Sequence, residues 1–164
     1  MLINQNHRLY SFVNSNYLSP LQHGLQTGHV IGELAAQTYT KSRSARHANR
    51  LELYKTWALK DKVIIICKAY NSAGVISTFD QIQELTRKSA LLNLPSAMFR
   101  EDEQSLGGAP TACGVVVPER LWNVSLDKTV QGEDLWIHNT SGEVYDSTTE
   151  VWQFLNLIKK APLV

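Results

Sequence analysis

Strands are predicted at four places where short apolar runs follow the spacing of β structure. Residues 8–14 alternate and are rich in residues that favour β structure, so they predict a first strand. Residues 62–68 are apolar on both faces, which favours a central strand buried between helices. Residues 97–100 predict a short strand, and residues 112–117 predict another that is buried.

Helices are predicted between these strands from apolar positions three and four residues apart. Ser19 and Pro20 supply a cap and a first-turn proline, so a first helix begins there and runs to about Thr40. Ser44 is the expected cap of a second helix. A capping box that begins at Thr78 predicts the start of a third helix, which lies on the sheet.

The C-terminal part of the chain follows a less regular pattern. Residues 135–138 and 143–145 flank a turn and predict a hairpin, and a second capping box at residues 147–150 predicts a last helix. Together these elements predict an α/β fold: a three-layer α/β/α domain with a mixed central sheet of about four strands, plus a C-terminal hairpin and helix. We expect a single domain, with a core of residues 8–118 and an extension of residues 119–164.

Composition changes this picture little. The 164 residues are 43% hydrophobic and 19% charged with a formal net charge of +1, so overall charge favours no class of partner. Cys67 and Cys113 stand in apolar runs without neighbouring His or Cys, which predicts buried thiols in a reducing compartment rather than zinc ligands. No stretch has the pattern of a signal peptide or the length of a membrane span, so we expect a cytoplasmic protein.

The first predicted helix carries a stripe of small residues. They recur every fourth position and so lie on one face: Gly24, Gly28, Gly32 and Ala36. Each glycine costs a helix about 1 kcal/mol relative to alanine. Two interpretations stay open, namely that the stripe is the floor of a site beside His29, or that it allows tight packing of the helix on the sheet.

Basic side chains cluster at the start of the second predicted helix: Arg43, Arg46, His47 and Arg50. Like charges at helical spacing repel by a few tenths of a kcal/mol per pair, and no acidic residue intervenes before Glu52. The cluster could bind phosphates. A solvated basic face is the alternative, and the sequence favours neither.

Residues 100–111 fit neither a helix nor a strand, and they combine three acids with two glycines. If the first and fourth strands are neighbours, this loop and the first helix meet at one end of the sheet, where α/β folds place chemistry. A histidine beside carboxylates and hydroxyls suits general acid–base hydrolysis by an oriented water. The residues that would meet there are His29, Glu101, Asp102, Ser105 and Thr111.

Other chemistries find less support in the sequence. It contains no Gly-x-Ser-x-Gly elbow, no Walker loop, no strand followed by Gly-x-Gly-x-x-Gly, and no His-Glu-x-x-His. His29 and Glu33 could contribute two ligands to a metal ion, but a site needs more. We therefore predict no metal and no cofactor.

The order of these motifs resembles the type 2 peptidyl-tRNA hydrolases, the archaeal and eukaryotic kind, over about residues 8–118. The resemblance is carried by Gly28-His29-Val30-Ile31-Gly32-Glu33, by Trp57 before KVIIICK, by Asn93-Leu94-Pro95, by Phe99-Arg100-Glu101 and by Thr111-Ala112. The family's lysine after the glycine is His29 here. Its loop aspartate matches Glu101, or Asp102 if the loop is shifted by one residue. The small size and the C-terminal addition most resemble variants carried by bacteriophages.

The resemblance implies hydrolysis of the ester bond that joins a peptide or amino acid to the 3′ ribose of tRNA. Glu101 or Asp102 would orient the water or act as base, and His29 would act as acid or stabilise charge. Hydrogen bonds from Ser105 and Thr111 would position groups. The expected RNA contacts are Gly28, Arg43, Arg46, His47 and Arg50.

The alternative is that the protein has kept this fold but lost catalytic turnover. It would then bind tRNA or a host protein. Members of this family are often dimers, so a homodimer is a further expectation. A phage origin would place the protein in the cytoplasm of a host bacterium.

Overall fold

A four-stranded mixed sheet forms the centre of the structure, a computed structural model that describes residues 6–16, 19–40 and 44–164. Its strands, in spatial order β2-β1-β4-β3, are β1 (Arg8–Val13), β2 (Val63–Lys68), β3 (Ser96–Arg100) and β4 (Pro110–Val117). β1 runs parallel to β2, and β4 runs antiparallel to both β1 and β3. The first and fourth strands are therefore neighbours. β1 and β3 end, and β4 begins, at one end of the sheet, which we call the site end.

Helices cover both faces of this sheet, which confirms the predicted α/β class and its three layers. The helices are α1 (Pro20–Thr40), α2 (Ala45–Thr56), α3 (Ser72–Lys88), the one-turn helices α4 (Glu103–Leu106) and α5 (Glu119–Trp122), and α6 (Glu150–Lys159). One core, around Leu9, Val30 and Leu34, lies between the sheet and α1 with α2. The other, around Phe12 and Phe154, lies between the sheet and α3 with α6.

The C-terminal extension forms a second, antiparallel sheet. Its strands are β5 (Val124–Lys128), β6 (Asp134–His138) and β7 (Val144–Tyr145), in that spatial order. β6 and β7 confirm the predicted hairpin, whereas β5 was not predicted. The last helix begins at Glu150 with Thr149 as its cap rather than Ser147, because Thr149 Oγ1 accepts the hydrogen bond from Trp152 N.

The prediction that residues 62–68 form a central strand is wrong. β2 is the outermost strand on its side, and Val63 and Ile64 are 39% and 40% exposed. The apolar run is covered only in its second half, where the chain end pairs with it: Lys68 N donates to Pro162 O at 2.8 Å, and Val164 N donates to Ile66 O at 3.1 Å.

The predicted start of the third helix is also wrong. α3 begins at Ser72 rather than Thr78, and the cap is Asn71, whose side chain accepts from Gly74 N at 2.8 Å. A Cβ atom on Gly74 would lie 1.9 Å from the carbonyl oxygen of Ala69, so the chain turns back on itself too closely for any side chain there. Gly74 thus belongs to the first turn of α3.

Two further expectations concern the cysteines and membrane-spanning helices. Cys67 and Cys113 are both buried free thiols, as predicted, and burial raises the pKa of Cys67 to about 11. Within the described ranges, no helix combines the length and the apolar character needed to cross a membrane.

Gly114 in β4 provides the close approach between α1 and the sheet. A Cβ atom there would lie 2.8 Å from Val30 Cγ1 and 3.2 Å from Leu9 Cδ1. Both neighbours are fully buried, so they have little room to move.

We therefore expect Gly114→Ala to lower the free energy of unfolding by about 1–3 kcal/mol, the usual cost of overpacking a core. Urea denaturation measures this. In a double-mutant cycle, Val30→Ala removes the methyl groups that the new Cβ would strike, so the two losses should not add. Additive losses would contradict the assigned contact.

Candidate functional site

Three side chains from distant parts of the sequence form a hydrogen-bonded chain at the site end. Thr111 Oγ1 donates to Gln26 Oε1 at 2.7 Å, and Gln26 Nε2 donates to Glu101 Oε1 at 2.7 Å. Thr111 is fully buried and Gln26 is 6% exposed, whereas Glu101 is half-buried. The hydroxyl accordingly fixes the orientation of the amide, and the amide holds one carboxylate oxygen.

The protein interior around this chain is polar. Ser11 and Thr27 share a hydrogen bond of 2.8 Å, and the fully buried Asn14 donates from its backbone N to Thr111 O at 2.8 Å. His23 precedes Gln26 by one helical turn on the same buried face, and neither of its ring nitrogens has a hydrogen-bond partner among the described residues. Burying polar groups costs free energy unless they are hydrogen-bonded, and these groups are paired with one another apart from the His23 ring.

The small-residue stripe of α1 faces outward. Cβ atoms built on Gly24, Gly28 or Gly32 would meet no described atom within 4 Å, and all three residues are exposed. Tight packing on the sheet is therefore the wrong interpretation for this stripe, since Gly114 makes that contact. The helix presents an open surface with bare backbone.

We expect Gly28→Ala and Gly32→Ala each to raise the free energy of unfolding by about 1 kcal/mol, because the added methyl enters open space on an exposed helix face. Urea denaturation of the single variants tests this. A loss of stability in either variant would mean that the face is packed.

His29 lies at the same corner as Glu101. Its ring is exposed on one side of α1 and stacks on Phe99 of β3, with ring centroids 4.3 Å apart and an interplanar angle of 11°. Along α1, His29 follows Gln26 by three residues; along the other chain segment, Glu101 follows Phe99 by two. The His29–Phe99 stacking contact and the Gln26–Glu101 hydrogen bond therefore lie next to each other where α1 packs against the end of β3.

Asp102 and Ser105 form a separate, local pair. Asp102 caps α4: it accepts from Ser105 N at 2.6 Å and from Ser105 Oγ at 2.8 Å. These hydrogen bonds from Ser105 lower the pKa of the Asp102 carboxyl. The loop predicted to lack regular structure contains this helical turn, which closes at Gly107 in the left-handed conformation with φ of 61°. Both carboxylate oxygens of Asp102 are engaged within the turn, so Glu101 is the acid that joins the buried chain.

The predicted basic cluster divides among different partners. Arg43 lies outside the described residues. His47 Nε2 donates to Thr38 O at 2.7 Å, which ties α2 to the last turn of α1. Arg46 and Arg50 instead converge on Asn93, whose Oδ1 accepts from the two Nε atoms at 3.1 and 2.6 Å.

This arginine pair lies at the far end of β3 from Glu101. Asn93 precedes β3 and Glu101 follows it, and five residues of extended strand span about 16 Å. The structure therefore joins Glu101 and Thr111 through Gln26 at the site end, places His29 against Phe99 of the adjoining strand, and leaves Arg46 and Arg50 at the opposite end.

Gln26 is the functional candidate that sequence reasoning missed. A single glutamine in a helix carries no motif, and its partners are 75 and 85 residues away. The signal available was its place on the buried face of α1 next to Thr27, where a polar side chain needs a partner.

No metal site emerges from the geometry: the described residues contain no group of three or more His, Cys, Asp or Glu placed to hold an ion.

The sequence matches no protein-family model, and a search of curated proteins finds no match.

Proposed function

We propose that this protein hydrolyses the ester bond that joins a peptide or amino acid to the 3′ ribose of tRNA. The observation that carries the proposal is the buried Thr111–Gln26–Glu101 chain, which fixes one carboxylate at the open corner of the sheet beside the bare face of α1. A fixed carboxylate next to an open surface suits an acid–base reaction with water.

In this mechanism Glu101 is the general base. Gln26 occupies one carboxylate oxygen, and the second takes a proton from the attacking water. The water oxygen bonds to the carbonyl carbon of the ester, the bond from that carbon to the ribose oxygen breaks, and the ribose oxygen accepts a proton. The products are a free carboxylic acid and the 3′ hydroxyl.

His29 is the candidate for the second proton transfer. Its stacking on Phe99 limits the orientations of the imidazole while leaving the ring accessible. An imidazole ring can donate a proton to the leaving ribose oxygen. Asp102 and Ser105 have no direct step in this scheme because they bind each other.

A second candidate function is an RNA-binding module without turnover. The arginine pair at Asn93 favours it, because guanidinium groups bind phosphates at a site that is independent of Glu101. A partner protein of the host, in place of RNA, is the remaining alternative.

The deciding experiment incubates the purified protein with peptidyl-tRNA and measures released peptide. Release at a rate proportional to enzyme supports the esterase. RNA binding that weakens with salt, without release, supports the binding module. Absence of both contradicts both RNA functions and leaves a protein partner.

A further inference from the structure

A groove rich in arginine runs between α2 and the segment that precedes β3. Two adjoining cavities, of about 350 and 280 Å³, form it and share Asn49, Ala90 and Asn93. Arg46 and Arg87 line the first cavity, and Arg120 lines the second. We call this continuous depression the arginine groove.

The positive charge of the groove is not neutralised by ion pairs. In the described part of the chain, the ion pairs within 4.0 Å involve lysines and histidines, and none involves an arginine. Glu52 is the one carboxylate among the described lining residues. Glu143 lies near Arg120, and the exposed Glu84, which pairs with Lys88, lies near Arg87. The Arg46–Arg87 half of the groove thus carries two cations without an acidic lining residue.

Asn93 holds the groove in shape. Its Oδ1 accepts from both Arg46 and Arg50, and its Nδ2 donates back to Arg46 O at 2.9 Å. Arg46 also donates from Nη2 to Thr86 O, in the last turn of α3, at 2.5 Å. Burial and the neighbouring Arg46 charge both lower the pKa of Arg50. Arg46 and Arg50 are therefore fixed side by side, and an anion bound by Arg46 in the groove would offset part of their repulsion.

We propose that the arginine groove binds the phosphodiester backbone of a base-paired RNA stem. Guanidinium groups form paired hydrogen bonds to phosphate oxygens, and asparagine amides contact phosphate and sugar. An elongated groove with arginines along its length suits a row of phosphates better than a single anion.

The place of the groove in the fold selects the stem rather than the 3′ end of the RNA. This step rests on the proposed function, in which the 3′ ester lies at Glu101. β3 is the outermost strand on its side and spans about 16 Å between Glu101 and Asn93. A span of about 16 Å corresponds to several stacked nucleotides, so the groove meets the RNA several nucleotides away from the ester.

The test uses RNA without an ester, so that it does not depend on turnover. Fluorescence anisotropy measures binding of a deacylated RNA hairpin with an unpaired 3′ end over a range of salt concentrations. Arg87→Gln and Arg46→Gln should each weaken binding several-fold and reduce the slope of log K against log salt by about 1, since each removes one phosphate contact. Lys60→Gln is the matched control, because Lys60 is an exposed cation in the helical turn Trp57–Asp61 that precedes β2, at the opposite side of the sheet.

Three results would overturn the proposal: unchanged slopes in both arginine variants, an equal loss in Lys60→Gln, or no binding of the hairpin by the unaltered protein. The proposal would also be overturned if Arg87→Gln weakened binding of a polyglutamate peptide as much as it weakens binding of the hairpin. The groove would then select negative charge rather than an RNA backbone. A protein that binds the hairpin through the groove but releases no peptide would contradict the esterase alone. If the protein cleaves peptidyl-tRNA but Arg46→Gln and Arg87→Gln bind the hairpin as the unaltered protein does, only the proposed role of the groove is contradicted.

Discussion

Replacing Glu101 by glutamine should slow the release of peptide from peptidyl-tRNA by about 10²–10⁴-fold, the usual contribution of a general base. Glutamine keeps the size of the side chain and can still accept the hydrogen bond from Gln26 Nε2, which is 2.7 Å from Glu101 Oε1. The variant loses only the ability to take a proton. Single-turnover kinetics with saturating protein measure the effect on the chemical step.

Two neighbouring acids serve as controls for Glu101→Gln. Glu103 is exposed in the first turn of α4, and Glu103→Gln should leave the rate within a factor of a few. Asp102→Asn tests the register of the loop: because Asp102 caps α4, its replacement should loosen the turn but reduce the rate far less than Glu101→Gln. A larger effect at Asp102 than at Glu101 would assign the base to Asp102 and contradict the proposed mechanism.

The layers of the fold were predictable because they follow from local signals. The Ser19-Pro20 start of α1 and the Ser44 cap of α2 act within a few residues, and the observed helices begin at Pro20 and Ala45. β1 reveals itself by alternation, and its neighbour β4 by a continuous apolar run whose residues are all buried.

The wrong predictions for β2 and α3 arise where the local sequence is compatible with two structures and other parts of the chain determine which one forms. The apolar run of β2 fits a central strand, but the order of strands in the sheet leaves it outermost, and no local signal specifies that order. The residues at 78–81 fit a capping box, but Asn71 starts the helix earlier, because its side chain already binds Gly74 N. A capping box shows that a helix can begin at that position, but it does not exclude a helix that begins earlier in the sequence.

The candidate site shows the same division. The pairing of the acidic loop with α1 was predictable once β1 and β4 were taken as neighbours. The identity of the connecting residue was not, because Gln26 acquires its role only from Thr111 and Glu101. The glycine stripe was recognised as unusual, yet its direction depends on which face of α1 carries Val30 and Leu34 into the core.

The basic cluster was predicted as one surface, and the structure separates its members. His47 donates a hydrogen bond to the last turn of α1. Arg46 and Arg50 instead donate to Asn93, which is more than 40 residues away in the sequence. The arginine groove depends on that asparagine and on Arg87, and neither belongs to the basic stretch.

Gln26→Glu is the second variant with a large expected effect, because it places a carboxylate where the amide now contacts Glu101 at 2.7 Å. Two carboxylates at that distance share a proton, and full ionisation of the pair requires a higher pH. If Glu101 must be ionised to act, the rising limb of kcat/KM against pH should move to higher pH by more than one unit. At a pH on that limb the rate then falls by more than tenfold.

The direction of the shift separates a base from a structural carboxylate. Gln26→Leu removes both hydrogen bonds without adding charge, so it should lower the rate at every pH and move the limb to higher pH far less than Gln26→Glu does. Thr111→Ser keeps the hydroxyl that donates to Gln26 Oε1 and should retain most activity, whereas Thr111→Val should behave like Gln26→Leu. If Gln26→Glu lowers the rate uniformly with pH, the proton of the attacking water does not go to Glu101, and the chain from Thr111 to Glu101 serves to join α1 to the β3–β4 loop.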